Sequence, residues 1–172
     1  MTSSRDQQIL VSISDQRLQL REAGNITMDV MVATAANGPG EVMGSECTPR
    51  GLHIIRAKIG DGCPMYSVFV GRRPTGEIFS RELKANYPDR DWILSRILWL
   101  SGLEVGKNRL GNVDSMRRYI YIHGSPDEEI SGQPNSHGCV RMTNADVIEL
   151  FNKVKVGASV LILEEPLSDF IN

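Results

Sequence analysis

The chain has 172 residues, of which 41% are hydrophobic and 23% are charged, and its formal net charge is −2. That length suits one domain whose core is large enough to fold without a disulfide or a metal ion. The near-neutral charge balance lacks the strong positive field that nucleic acids or anionic membranes attract, so we expect no nucleic-acid partner.

Short runs of β-branched and aromatic residues, separated by Gly, Pro, Asn and Asp, predict a mainly β domain. In chain order the predicted strands are 8–13, 17–20, 28–33, 51–59, 65–71, 119–123 and 159–163. The first two form a predicted hairpin. The polar segment 72–90 contains two prolines and is predicted to be an exposed loop. It is either a lid whose arginines contact an anionic substrate or simply a solvated loop, and both interpretations stay open. Residues 91–101 fit either a helix or a strand by their spacing.

One helix is predicted close to the C-terminal end of the chain. Thr143 and Asp146 have the spacing of a helix cap, and apolar residues then recur every three or four positions as far as Val154. Gly157 is placed to end this helix, because glycine readily takes the left-handed conformation found there.

No repeat, low-complexity segment or linker divides the chain, so we expect one domain at 8–164 between tails at 1–7 and 165–172. The first residues show no basic start followed by an apolar segment, and no stretch approaches the roughly 20 apolar residues of a membrane span. Three cysteines at irregular spacings do not resemble a secreted disulfide framework. We therefore expect a cytoplasmic protein without a membrane span.

Two of the three histidines and one cysteine are concentrated in residues 121–142. The predicted strand brings His123 to its end, and a polar loop returns the chain to Ser136, His137, Gly138 and Cys139. A cysteine in such a turn suits a thiolate nucleophile, since a nearby imidazole or a cluster of backbone N–H groups lowers its pKa.

The residues next to this cysteine suit the other requirements of acyl transfer. Gly138 has no side chain, so a substrate carbonyl can approach the backbone, and the N–H groups of Gly138 and Cys139 are candidates for an oxyanion site. Arg141 is a candidate for a planar, two-point contact with a substrate carboxylate.

Simpler interpretations remain open for several of these residues. Cys47 and Cys63 are expected to be small apolar fillers, and His53 a strand histidine that satisfies a hydrogen bond. A zinc site formed by the two histidines and the cysteine of residues 121–142 is an alternative, but their spacing matches no common structural zinc pattern. We therefore expect neither a metal nor a cofactor.

The segment from Ile122-His123-Gly124-Ser125 to Ser136-His137-Gly138-Cys139 resembles the YkuD-type L,D-transpeptidase catalytic domain. The Thr-Pro-x-Gly turn of that family is matched at 48–51, and the resemblance covers roughly 8–164. It implies a mixed β-sandwich with one to three short helices and a cysteine acyl-enzyme mechanism.

Carried over by position, the resemblance assigns a role to each residue of the segment. Cys139 is the nucleophile, His123 is its base, and the carbonyl of Gly124 orients that imidazole. Ser136, His137 and Gly138 shape the pocket and the oxyanion site, and Arg141 holds the substrate end.

The substrate implied by the family is the peptidoglycan stem tetrapeptide, free or in a muropeptide, with carbapenem-type β-lactams as acylating ligands. The enzyme attacks the carbonyl of the L-centred diamino residue and expels the terminal D-alanine. Many members carry Asn where this chain has Arg141, and the cross-linking members are exported. The leading hypothesis is therefore an L,D-carboxypeptidase that trims tetrapeptides in cell-wall recycling. Transfer of the acyl group to an amine, a non-catalytic muropeptide-binding module and a zinc hydrolase are the alternatives.

Overall fold

The structure is a computed structural model that describes residues 3–170, and these residues form a mainly β fold with one mixed sheet. Its strands are β1 (Gln7–Ser12), β2 (Arg17–Glu22), β3 (Asn25–Met31), β4 (Gly51–Ile59), β5 (Ser67–Val70), β6 (Arg73–Ile78), β7 (Ile93–Gly102), β8 (Tyr121–Gly124), β9 (Val140–Met142) and β10 (Ser159–Leu163). The same residues hold two α-helices, α1 (Arg81–Asn86) and α2 (Asn144–Lys153). The predicted fold class is confirmed.

The sheet is continuous in the order β3-β2-β1-β10-β4-β7-β5-β6, and a branch leads from β7 to β8 and then to β9. Among the described strands, β1 pairs with β10 and β8 with β9 in parallel, while the other neighbours are antiparallel. Strand β7 lies at the branch, since it pairs with β4, β5 and β8. This branch brings β8 and β9 together, the two strands next to the predicted site.

Most of the predicted elements are present, and the differences have local causes. The strands expected at 51–59 and 159–163 have those bounds, and the first hairpin is also found. The third strand begins and ends earlier than predicted. Strand β8 begins two residues late, after Tyr119, whose φ of +56° lies outside the extended region of a regular strand.

The segment 91–101, which fitted two patterns, forms strand β7. Its residues from Leu94 to Leu98 are all buried, so both faces of the strand lie in the interior and its apolar residues do not alternate. The predicted helix begins as expected, with Thr143 Oγ1 accepting from the Asp146 N–H at 3.3 Å. It ends at Lys153, before Gly157.

The prediction of a loop at 72–90 was wrong, because this segment forms strand β6 and helix α1. Pro74 is tolerated because β6 is the edge strand of the sheet order. Ser80 caps α1 by accepting from the Leu83 N–H at 3.0 Å, and Phe79 packs edge-on against Trp92 at 5.1 Å between ring centroids. The segment is exposed, as predicted, but it is anchored.

The main core lies between the sheet and helix α2, which buries Val147, Leu150 and Phe151 against it. Leu98 of β7 and Ile122 of β8 belong to the same cluster and are fully buried. Strands β7 and β8, where the sheet branches, therefore pack directly against the main hydrophobic core. In residues 3–170 no helix has the length and apolar character needed to cross a membrane.

The predicted tails at 1–7 and 165–172 are described in part. Residues 1, 2, 171 and 172 lie outside the described residues. Ser4–Asp6 and Leu167–Asp169 each form a short 3-10 helix, and the Leu167 N–H donates to Asp15 Oδ2 at 2.8 Å.

Candidate active site

The predicted catalytic histidine and cysteine line one surface cleft of about 520 Å³. His123 reaches this cleft from β8, and Cys139 reaches it from the turn before β9. Ser136, His137 and Arg141 also line it, so the structure brings together all the predicted site residues that act through a side chain. The rest of the wall consists of Gly71, Arg72, Asp91, Ile93, Tyr119 and Tyr121.

His123 is held as a neutral imidazole in a fixed orientation. The residue is 1% exposed, and its Nδ1 lies 2.7 Å from the carbonyl oxygen of Gly124. Because a carbonyl oxygen only accepts, we place the proton on Nδ1, which leaves Nε2 as the basic nitrogen. Burial lowers the pKa of His123, since the interior disfavours the imidazolium form.

The Gly124 end of β8 is fixed by close packing. A Cβ added to Gly124 would lie 2.5 Å from the carbonyl oxygen of Leu94 and 3.0 Å from Asn144 Oδ1, so only glycine fits. Asn144 Nδ2 donates to the Ser125 carbonyl at 2.8 Å, and its Oδ1 accepts from Ser95 Oγ at 2.6 Å. Asn144 was missed by the sequence analysis, since its place after a helix cap gives no hint of this contact.

The turn that carries Cys139 depends on a glycine and a threonine. Gly138 has a φ of +132°, and a Cβ added there would lie 3.2 Å from the carbonyl oxygen of Cys47. Thr48 Oγ1 donates to the Gly138 carbonyl at 2.9 Å and accepts from the Ala35 N–H at 2.9 Å. The Thr-Pro-x-Gly turn at 48–51 therefore has a structural role, because its threonine stabilises the separate turn that carries Cys139.

Ser136 closes the same turn from within. Its buried Oγ donates to the Cys139 carbonyl at 2.6 Å and accepts from the Gly138 N–H at 3.2 Å. The expectation that the Gly138 N–H faces an oxyanion is therefore corrected, since this amide already has a partner. Of the two amides considered, the Cys139 N–H remains for that role. His137 is exposed on the cleft wall.

Cys139 is half-buried as a residue, and its sulfur contacts the backbone around the start of β8. It accepts from the Tyr121 N–H at 3.3 Å and donates to the Tyr119 carbonyl at 3.4 Å. Burial raises the pKa of this thiol to about 12, although the Tyr121 N–H and the charges of Arg141 and Arg118 act in the opposite direction. The expectation of a lowered thiol pKa is corrected: the resting group is a neutral thiol.

Arg141 is 8% exposed, and its guanidinium already has partners. Nη2 donates to Asp91 Oδ1 at 2.7 Å, and Nη1 donates to the backbone oxygen and Oδ1 of Asn135 at 3.1 and 3.2 Å. Glu129 Oε2 lies 3.9 Å from Nη1. A substrate carboxylate at these nitrogens would compete with Asp91, so the expected contact with the substrate end requires an exchange of partners.

Arg118 is a second residue that the sequence analysis missed. It is half-buried, its Nη2 donates to the Cys47 carbonyl at 2.7 Å, and its Nη1 donates to the Gly40 carbonyl at 3.3 Å. Its positive charge favours the thiolate form of Cys139. No local pattern distinguishes this arginine from its neighbour Arg117 in the sequence.

The remaining cysteines and the third histidine lie outside the cleft wall. Cys47 and Cys63 are partly buried free thiols. His53 is fully buried in β4, where Nδ1 lies 3.0 Å from the Gly51 carbonyl oxygen and Nε2 lies 2.8 Å from Ser115 Oγ. The prediction of a hydrogen-bonded strand histidine is confirmed.

The zinc alternative required His123, His137 and Cys139 to converge on one point. Within residues 3–170, no three His, Cys, Asp or Glu side chains are grouped so that they could hold a metal ion. The cleft therefore lacks the ligand arrangement on which that alternative depended.

The YkuD family model, the L,D-transpeptidase catalytic domain, matches residues 6–162 of the chain. In curated proteins the similar stretch is shorter. It is 46% identical over 48 residues to YqjB of Bacillus subtilis (strain 168), and 44% identical over 50 residues to YbiS of Escherichia coli (strain K12). Both are named as L,D-transpeptidases. These stretches cover 28% and 29% of this chain, and 27% and 16% of the relatives.

Solved structures of L,D-transpeptidases share the fold over most of the chain. The enzyme from Xylanimonas cellulosilytica has a TM-score of 0.53 at 20% identity, over 94% of this chain and 62% of that one. L,D-transpeptidase 3 from Mycobacterium tuberculosis, which carries a faropenem-derived adduct, has a TM-score of 0.57 at 15% identity, over 92% and 60%. An L,D-transpeptidase in complex with imipenem has a TM-score of 0.55 at 16% identity, over 92% and 59%.

Proposed function

The chain belongs to the YkuD family of L,D-transpeptidase catalytic domains, and from that premise we propose that it transfers the acyl group of a peptidoglycan stem peptide through Cys139. The bond to be cleaved joins the L-centre of the diamino residue to the terminal D-alanine. One observation carries the proposal: a thiol and an imidazole with a basic Nε2 line the same cleft.

The neutral state of both groups defines the first chemical step. As the sulfur of Cys139 attacks the substrate carbonyl, Nε2 of His123 takes the thiol proton, and the carbonyl oxygen becomes an oxyanion beside the Cys139 N–H. When the intermediate collapses, the C–N bond breaks and the imidazolium returns this proton to the departing amine. The lowered pKa of His123 makes its imidazolium a stronger acid, which favours that return.

The acyl-enzyme then requires an acceptor, and water is the first candidate. Cys139 is a partly exposed residue of an open cleft, and His137 is exposed beside it, so we expect water to reach the thioester without a dedicated binding site. Hydrolysis would make the protein an L,D-carboxypeptidase that converts a tetrapeptide into a tripeptide.

Transfer to an amine is the second candidate, and the names of the relatives support it. YqjB and YbiS are both named for transpeptidation, and the same acyl-enzyme passed to a D-amino acid gives an exchanged tetrapeptide. Neighbouring structures with imipenem and a faropenem-derived adduct support a further part of the proposal, that a carbapenem acylates Cys139 here.

Mass spectrometry of a purified tetrapeptide muropeptide, incubated with the protein with and without a D-amino acid, tests the proposal. Tripeptide without added amine supports hydrolysis, and exchanged tetrapeptide alone supports transfer. Cys139→Ala should abolish both products, while the matched variant Cys63→Ala should retain them. Turnover by Cys139→Ala would remove the nucleophile, and binding without turnover by the unmodified protein would favour a non-catalytic module.

A further inference from the structure

Arg72 lies at the tip of the β5–β6 hairpin in a conformation that arginine rarely adopts. Val70 and Arg73 are paired across the strands, so Gly71 and Arg72 form a two-residue turn, with φ values of +55° and +64°. Such turns prefer glycine and asparagine at both positions, because the left-handed region is unfavourable for larger side chains. Residues in such strained conformations cluster at functional sites, so the contacts of the Arg72 side chain bear on function.

The side chain of Arg72 lies against the aromatic wall beside the reactive sulfur. Its guanidinium carbon is 4.8 Å from the ring centroids of both Trp99 and Tyr119, and its Nη1 donates to Tyr121 Oη at 3.0 Å. The backbones of the same two tyrosines hold the sulfur of Cys139. The guanidinium therefore lies in the cleft against the side chains of Tyr119 and Tyr121, and the backbone groups of these two tyrosines bind the sulfur of Cys139.

The charge of Arg72 is also unmatched. Asp91 pairs with Arg141 at 2.7 Å, and Arg118 is bound to two backbone carbonyls. Among the ion pairs formed within residues 3–170, none includes Arg72. Since a guanidinium carries five N–H donors in a planar fork, donors remain after the contact with Tyr121 for a two-point contact with an anion.

We propose that Arg72 binds a carboxylate of the acyl-donor peptide and so determines which peptides are accepted. This inference rests on the proposed function, which places a stem peptide in the cleft. Two carboxylates flank the bond to be cleaved: the α-carboxylate of the departing D-residue and, where present, the side-chain carboxylate of the diamino residue. Both have the same chemistry, and amidated peptides distinguish them.

The test compares Arg72→Asn with the matched variant Arg73→Gln, which removes an exposed arginine of the same hairpin outside the cleft. Asparagine tolerates the turn conformation, so we expect the unfolding midpoint of Arg72→Asn to stay within about 4 °C of the unmodified protein. A charge-assisted contact corresponds to a loss in kcat/KM of about 10- to 100-fold on the free-carboxylate tetrapeptide. We expect Arg73→Gln to change this value less than twofold.

Peptides amidated at one carboxylate or the other identify the group that is bound. Amidation of the carboxylate that Arg72 contacts should lower kcat/KM of the unmodified protein by the same factor as the Arg72→Asn substitution does. On that amidated peptide, Arg72→Asn and the unmodified protein should have equal kcat/KM. A loss below twofold for Arg72→Asn, or an equal loss on all three peptides, would overturn the inference.

A binding measurement separates this inference from the proposed function. Calorimetry of the tetrapeptide on Cys139→Ala, with and without Arg72→Asn, needs no turnover. Weaker binding with Arg72→Asn supports the contact even if the unmodified protein has no peptidase activity, a result that would overturn the proposed function alone. Equal binding, together with normal turnover, would overturn the role of Arg72 alone.

Discussion

Cys139 should react slowly with an alkylating reagent at neutral pH, because its thiol is neutral in the resting protein. Burial raises the thiol pKa from 9.0 to about 12, which is three units. At pH 7 the thiolate fraction is therefore about 1,000-fold lower than that of an ordinary thiol. A thiolate of higher pKa is more nucleophilic, by about 16- to 32-fold for three units. The net expectation is alkylation about 30- to 60-fold slower than in the unfolded chain.

The assay measures iodoacetamide labelling of Cys139 by peptide mapping between pH 6 and pH 10, in the folded protein and in urea. The folded rate should still rise tenfold per pH unit at pH 10, whereas the rate in urea should level off above about pH 9. His123→Ala should leave the folded profile unchanged, since a neutral imidazole does not stabilise a thiolate.

The opposite pattern would refute this reasoning. A folded rate that levels off below pH 9 would show a thiol pKa below the ordinary value, and a folded rate equal to the rate in urea at pH 7 would show that burial does not raise it. Loss of that early plateau in His123→Ala would identify an imidazolium partner, and the proton transfer proposed for the first step would then precede substrate binding.

Two further predictions concern buried residues outside the cleft wall. The pKa of His53 is lowered from 6.5 to about 4 in the folded state, so its stabilisation is complete above pH 6.5 and decreases as the pH falls toward 4. Urea unfolding at pH 7.5 and at pH 4 checks this. Between these pH values the free energy of unfolding of the unmodified protein should fall by about 3 kcal/mol more than that of His53→Gln. An equal fall in the two proteins would contradict the prediction. Thr48→Val leaves two buried backbone groups unpaired and should lower the free energy of unfolding by about 2–6 kcal/mol, with Thr48→Ser as the control. A loss below about 1 kcal/mol would show that another group replaces the hydroxyl.

The features that sequence patterns predicted best are those fixed by neighbours in the chain. The bounds of β4 and β10 and the Thr143 cap depend on local apolar runs and one hydrogen bond. The segment 72–90 was misassigned because its polarity indicates exposure, and an edge strand with a proline is equally exposed.

The contacts that hold the site join distant parts of the chain, and no local pattern records them. Thr48 holds Gly138 across 90 positions, and Arg118 holds Cys47 across 71. The motif around Cys139 indicated its chemistry but not its burial, and burial decides the charge state of the thiol.

The place of β10 in the sheet has a consequence for how the chain folds. It lies between β1 and β4, although it follows all the other strands in sequence. Among the described strands, the N-terminal unit β1–β3 is joined to the rest of the strand order through β10. The facing edges of β1 and β4 therefore stay open to other chains until β10 is made. Early termination before residue 159 should leave a species prone to aggregation, and slow synthesis should lengthen the time for which these edges are exposed.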